Sequence, residues 1–203
     1  FGVHFNQDLR EVRFPRSLQK LTVGGMFNST LCGKVFPDDL KSLTFGCHFN
    51  RSIAELEFPR GLQTLTFGEH FDQSLDGVQF LQDLQSLRFG QHFNQPLQNL
   101  TLPSSLESIS FGRVFNQSLE QMLLPSNLRN LEFGSCFNQM ISSLKLPNSL
   151  QSLTFGDSFN QSLENVNLPA SLQTLAFGKA FDQSLEKVTR LSPMHSLSLS
   201  CRT

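Results

Sequence analysis

The chain has 203 residues, 16 Lys and Arg against 17 Asp and Glu, a formal net charge of −1 and 38% hydrophobic residues. That composition can bury a core, lacks the charge to draw nucleic acid or an anionic lipid surface, and offers no run near the ~18 apolar residues of a membrane helix. Twenty-one Phe occur with no Tyr or Trp, and the four cysteines (Cys32, Cys47, Cys136, Cys201) form no close pair, against a disulfide scaffold and against CxxC zinc chemistry.

The dipeptide Phe-Gly opens the chain and returns at 45, 67, 89, 111, 133, 155 and 177, while Val23-Gly24 fills the one gap. The period is 22 residues without insertion or deletion. Nine units therefore start at 1, 23, 45, 67, 89, 111, 133, 155 and 177, residues 199–203 are a terminal stub, and 1–203 reads as a single repeat solenoid.

The elements can be taken in order through one unit, with the Phe of Phe-Gly as register 1. Gly at register 2 suits a strand end where the chain turns, and the reading predicts positive φ there. Register 5 is Phe in every copy: Phe5, Phe27, Phe49, Phe71, Phe93, Phe115, Phe137, Phe159 and Phe181. Register 6 holds Asn6, Asn28, Asn50, Asp72, Asn94, Asn116, Asn138, Asn160 and Asp182. An ionised carboxylate only accepts hydrogen bonds, so the role shared by Asn and Asp is acceptance from turn N–H groups, a structural ladder. Registers 12 and 14 alternate by two (Val166 and Leu168) before Pro at register 15 in seven copies. The eight residues between register 6 and that Pro are too few for a three-turn helix, so a short strand or extended turn is expected. Registers 18 and 21 are Leu, Ile or Met throughout, and Leu-x-x-Leu-x-Phe-Gly reads as a short strand with registers 21 and 1 facing inward. Its outer positions, registers 20 and 22, are mostly Ser or Thr, as at Ser42, Thr44, Thr64, Thr66, Ser152 and Thr154.

One such unit cannot bury its apolar side, so the copies must stack with their strands parallel at roughly 4.8 Å. Each buried Phe or Leu then contributes roughly 1.5–3 kcal/mol relative to exposure. The expected fold is mainly β: a right-handed, leucine-rich-repeat-like solenoid of nine 22-residue coils with a parallel sheet and little helix.

With these registers in hand, the sequence resembles the FNIP-repeat family, a 22-residue relative of the leucine-rich repeats; residues 151–163, Gln-Ser-Leu-Thr-Phe-Gly-Asp-Ser-Phe-Asn-Gln-Ser-Leu, carry the pattern. The naming tetrapeptide Phe-Asn-Ile-Pro is replaced by Phe-Asn-Gln-Ser or a variant. The resemblance implies an open solenoid with its parallel sheet on the concave side, generally used for protein–protein contact and often joined to other domains, F-box modules of ubiquitin-ligase adaptors among them. It brings no catalytic residues, and no F-box pattern lies within these residues.

Candidate binding positions emerge from comparing the copies, because registers that vary are those stacking does not need. Register 3 varies most, and with registers 20 and 22 it supplies Lys20, Glu69, Arg88, Gln91, Arg113, Asn130, Glu132, Asp157 and Lys179. These residues are expected to line the sheet and its rim as one mixed-charge strip read by a protein partner, with Arg88, Arg113 and Glu132 near its centre. His48, His70 and His92 share register 4 on adjacent coils, a column that could approach zinc, although Met26, Val114, Cys136 and Ala180 at the same register point to packing. The reading therefore assigns no metal and no cofactor. No catalytic triad, phosphate loop or GxSxG elbow is present, and the Phe columns keep an inward period instead of forming stacking platforms for bases. Five N-glycosylation sequons, at Asn28, Asn50, Asn99, Asn116 and Asn160, follow mostly from the repeated Phe-Asn-x-Ser wording.

The function expected from these features is a non-enzymatic protein–protein interaction scaffold, a subunit of a larger assembly. One alternative is the substrate-recognition module of an F-box-type ubiquitin ligase. Another is ice or surface binding through the Ser/Thr rows, which Lys20, Arg88, Asn130 and Glu132 interrupt. No compartment follows from the sequence, with an intracellular one favoured. Phe1 opens without a capping unit, so further repeats or another chain are expected to cover that edge, whereas Arg190 and Leu191 break the Phe/Leu-Pro pair and mark the far end.

Overall fold

Register 21 is the inward residue of a three-residue strand in almost every unit, flanked by two outward side chains. In the computed structural model, which describes residues 1–31, 33, 35–186, 188 and 196–199, these strands are β1 (Lys20–Thr22), β2 (Ser42–Thr44), β3 (Thr64–Thr66), β4 (Ser86–Arg88), β5 (Ser108–Ser110), β6 (Asn130–Glu132), β7 (Ser152–Thr154), β8 (Thr174–Phe177) and β9 (Ser196–Leu199). Arg190, Leu191, Met194 and the stub beyond 199, on which the expected degenerate end rests, lie outside the described residues.

The strands form one sheet in sequence order, β1 to β9, every neighbouring pair parallel. The register never slips: Leu43 faces Leu65, and Leu131 faces Leu153, each residue opposite its own copy 22 positions on. The described residues contain no helix. The rest of each coil is three tight turns, seen in the fifth and sixth strands' shared coil as Phe115 N–H to Gly112 O, Met122 N–H to Leu119 O and Leu128 N–H to Pro125 O. Among the described residues the far side is thus an extended turn and not a second strand. The strand itself is shorter than the seven-residue segment read from sequence, because it is limited to registers 20–22 before the Phe-Gly corner begins.

Coils are zipped at a second place as well. The register-4 N–H donates to the register-3 carbonyl of the preceding coil, as in His70 to Cys47 at 2.9 Å and Cys136 to Arg113 at 2.8 Å. Between sheet and corner lies the core. Phe27, Phe49, Phe71, Phe93, Phe115, Phe137 and Phe159 are wholly buried, while Phe5 and Phe181 in the outer coils are partly covered.

The ring columns also report shape. Successive register-5 rings are nearly parallel, so their centroid spacing measures coil spacing at that depth: 6.1 Å for Phe93–Phe115 and for Phe115–Phe137. At register 1 the spacing is tighter, 5.3 Å for Phe89–Phe111 and 5.5 Å for Phe111–Phe133. Hydrogen-bonded strands stand closer still, at roughly 4.8 Å. The coils therefore fan open away from the sheet, which places the sheet on the inside of the curve.

The glycines at register 2 serve a different purpose from the one expected. Among the described glycines, positive φ occurs at Gly33 and Gly77, both at register 11, and not at register 2. From Gly24 to Gly178, a Cβ at register 2 would come closer than 3.0 Å to backbone of the preceding coil, its glycine carbonyl oxygen in particular. Glycine is needed there because two backbones touch, the other reason a chain position excludes side chains.

The register-6 column runs between coils. Asn138 N–H donates to Asn116 Oδ1 at 2.9 Å, and the same bond links register 6 of every neighbouring pair from Asn6 to Asp182. A second donor joins it: the register-7 amides of Gln73, Gln95, Gln117, Gln139, Gln161 and Gln183 reach the same oxygen. Asp72 accepts both bonds as the asparagines do, from Asn94 N–H and Gln95 Nε2.

Two outcomes follow. Gly112→Ala forces two coils apart and is expected to cost more than the roughly 1–3 kcal/mol of ordinary overpacking, whereas Gly77→Ala, in open space but at φ 77°, costs about 1–2 kcal/mol. Urea unfolding of both variants tests the order, which reverses if conformation and not contact selects the register-2 glycines. Asn116→Ala strips the acceptor from Asn138 N–H and Gln139 Nε2 and is expected to lose about 1–3 kcal/mol, while Asn116→Asp keeps most stability. An unchanged thermal melt for Asn116→Ala would show that the ladder does not hold the coils.

Candidate functional site

Side chains free of stacking duty lie at the outer face of the sheet and at the turn after register 2. Because each column repeats at the strand spacing, residues of register 22 on β4, β5 and β6 stand beside residues of register 3 from the adjoining corners. The structure gathers Glu69, Arg88, Gln91, Arg113 and Glu132 around one open depression of about 410 Å³, floored by Phe67, Phe89 and Phe111 and the backbone of Gly90, Gly112 and Gly134. Arg88, Ser110 and Glu132 follow one another along a single outer row.

The other four strip residues lie elsewhere. Lys20 and Asn130 begin β1 and β6, on the register-20 margin, and Asp157 and Lys179 stand at corners of later coils. Five of the nine positions share the depression, and the other four lie outside it.

Electrostatics within the depression are mixed. Glu132 accepts a hydrogen bond from Ser110 Oγ at 2.8 Å. Ion pairs among the described residues join Arg10 to Asp8 and Arg129 to Glu107, and neither involves Arg88 or Arg113. Both guanidiniums are exposed, each with a planar fork suited to a carboxylate. The outer rows themselves are not continuous hydroxyl surfaces: Arg88, Glu132 and Ala176 stand in the register-22 row, and Lys20 and Asn130 in the register-20 row.

The histidine column exists, with an unanticipated neighbour. His48 and His70 stack with ring centroids 4.8 Å apart and 9° between planes, and His92 follows at 4.8 Å but turned by 67°. The residue that joins them is Cys47: its thiol and one ring nitrogen each of His48 and His70 lie within 4.8 Å of one another. Register 3 of one coil thus meets registers 3 and 4 of the next, a contact that sequence spacing alone leaves invisible. Cys47 Sγ donates to Glu69 Oε2 at 3.4 Å. Burial of the thiol, then its hydrogen bond to Glu69 and that residue's negative charge, push the Cys47 pKa up. Asp8 shifts the other way, held low by its hydrogen bonds with Arg10.

Of the sequons, those at register 6 have their amide oxygens engaged by the next coil, and Asn99 Nδ2 donates to Asp76 at 3.3 Å. No described helix is long and apolar enough to cross a membrane.

A model of the FNIP repeat matches residues 5–48, 82–113, 115–158 and 159–189. Among solved structures, the chain is similar to CroV588, described as a novel circular LRR protein structure, at 40% identity and a TM-score of 0.76. That alignment covers 99% of this chain but 32% of CroV588, so the chain spans about a third of its neighbour's length. A leucine-rich repeat protein from Bacteroides ovatus aligns at 13% identity and a TM-score of 0.22, over 89% of this chain and 66% of that one. No curated protein matches the sequence.

The raised thiol pKa has a measurable consequence. A larger fraction of Cys47 stays protonated at mildly alkaline pH, and the thiolate is the nucleophile, so maleimide labelling of Cys47 is expected to lag a free thiol. Glu69→Gln removes the charge and speeds labelling without abolishing the lag, since burial remains. A rate insensitive to Glu69→Gln, followed by peptide mapping to separate Cys47 from the other thiols, would contradict the assigned cause.

Proposed function

The chain belongs to the FNIP-repeat family, and from that premise we propose that it is a non-enzymatic protein-interaction scaffold whose partner seats along the inner, sheet side of the curved stack. Repeat solenoids of this kind generally bind proteins and generally lack catalysis. The observation that carries the reading is the depression in which unpaired Arg88 and Arg113 stand with Glu69 and Glu132 over a floor of Phe rings and backbone. Two free guanidiniums and two carboxylates on one concavity favour an extended protein segment with both acidic and basic side chains, held by charge-assisted bonds that set its register.

The fanning of the ring columns adds to this reading. A solenoid that curves with its sheet inward presents the strip to whatever occupies the inside of the arc, and the similar CroV588 is described as circular. We take the chain to act as an arc within a larger assembly, the strip facing its interior. Lys20, Asn130, Asp157 and Lys179 then belong to the margin of the contact and contribute little binding energy.

The test is charge reversal at the centre. Arg88→Glu combined with Glu132→Lys leaves net charge and fold unchanged and is expected to remove the partners captured by the parent protein in quantitative affinity purification. A control pair on the opposite side of the coils, Glu57→Lys with Lys145→Glu, retains them; equal capture by parent and centre variant would defeat the proposal.

A further inference from the structure

The corner after register 2 presents side chains in pairs, and two adjacent coils combine them. Cys47 and His48 come from the third coil, Glu69 and His70 from the fourth; Cys47, His48 and His70 cluster at one place, with the Glu69 carboxylate against the thiol. No other neighbouring coils repeat this set: the next corners carry Gln91 with His92, then Arg113 with Val114.

The spacing is the telling feature. Cys47 Sγ stands 3.6 Å from His70 Nδ1 and 3.4 Å from Glu69 Oε2. Around a tetrahedral ion with Zn–S near 2.3 Å and Zn–N near 2.0–2.1 Å, neighbouring donor atoms lie about 3.5 Å apart. Two separations already match that figure, and the donor atoms of Cys47, His48 and His70 lie within 4.8 Å of one another. We propose that Cys47, His48, His70 and Glu69 form a Zn2+ site that staples the third coil to the fourth. A thiolate, two imidazoles and a carboxylate make a borderline-soft donor set, suited to zinc and unsuited to magnesium or calcium.

The chemistry of entry is simple and balanced. As the side chains stand, the Cys47 thiol donates to Glu69, and His70 Nδ1 faces the Cys47 carbonyl at 3.1 Å. Binding breaks the S–H bond, releases that proton to solvent and forms a bond from sulfur to zinc; no electron changes hands. The carboxylate freed of its donor turns to the ion, and the His70 tautomer protonated on Nε2 offers Nδ1. His48 is exposed and swings in from the rim. His92 stays out, because its ring is turned 67° from His70 and its neighbour Gln91 is no ligand. The inference goes beyond the scaffold reading and survives its failure, since it concerns metal and not partner.

The experiment titrates the untagged chain with Zn2+ and Co2+ against a chromophoric chelator. The expected result is a single equivalent bound, with a thiolate-to-cobalt charge-transfer band. Cys47→Ser abolishes the band and weakens zinc binding at least about 100-fold, beyond the roughly 10–100-fold loss that a merely supporting contact explains. His70→Gln and Glu69→Gln weaken it comparably, and His92→Gln leaves it unchanged. Zn2+ raises the melting temperature of the parent and of His92→Gln but not of Cys47→Ser, and circular dichroism without metal verifies that each variant folds. No binding at micromolar metal, a band that persists in Cys47→Ser, or equal losses in His92→Gln and His70→Gln would each overturn the site.

Discussion

Along the described sheet each residue has for a neighbour its own copy, 22 residues away and one coil distant. That contact is tightest at register 2, where backbone meets backbone and no Cβ fits. Like-on-like stacking favours residues that attract themselves: Phe on Phe, Leu on Leu, Asn on backbone. It penalises residues that repel themselves. Two carboxylates 5 Å apart at an effective dielectric of 20 would repel by about 3 kcal/mol. The register-6 column admits Asp72 and Asp182 accordingly, each beside Asn and never beside another Asp.

The same rule shapes the surface. Along register 3 the order Glu69, Gln91, Arg113, Ser135, Asp157, Lys179 never places like charges on adjacent coils. Along register 22, Arg88 and Glu132 are separated by Ser110. Mixed charge is therefore partly a condition of stacking, and the strip's claim to function rests on the narrower fact that Arg88 and Arg113 are left unpaired over a depression.

Periodicity made most of the fold legible. Alternation at registers 21 and 1 fixes which residues face inward, and the constant spacing leaves no register to slip. What periodicity could not separate were two causes with one signature. Glycine at a strand end serves either a positive φ or a close approach, and the sequence shows only the glycine. A signal was nonetheless present: Gly33 and Gly77, which do adopt positive φ, share a register with Glu11, Glu55 and Asn99, so glycine itself is optional there. Register 2 tolerates no such variety. The register-7 glutamines were equally visible, at seven of nine positions, yet their purpose depends on reaching an oxygen in the preceding coil. Cys47 was hidden for a related reason, since registers 3 and 4 of adjacent coils meet only through the geometry of the corner turn.

The coil thus divides its labour by depth. Registers 2, 5, 6, 9, 18 and 21 answer to the neighbouring copy and carry almost no individual information. Registers 3, 4, 20 and 22 answer to solvent, and identity there can change from coil to coil at small cost to stability. Because the corner joins registers 3 and 4 of one coil to the same registers of the next, two dipeptides suffice to write a four-residue constellation. Cys47-His48 over Glu69-His70 is one such pairing, and Arg113-Val114 over Ser135-Cys136 is another with quite different chemistry. A scaffold built this way acquires sites without altering its core, and the wedge between the 5.3 Å spacing of the Phe89–Phe111 rings and the 6.1 Å spacing of the Phe93–Phe115 rings turns the sheet-side residues toward a common interior.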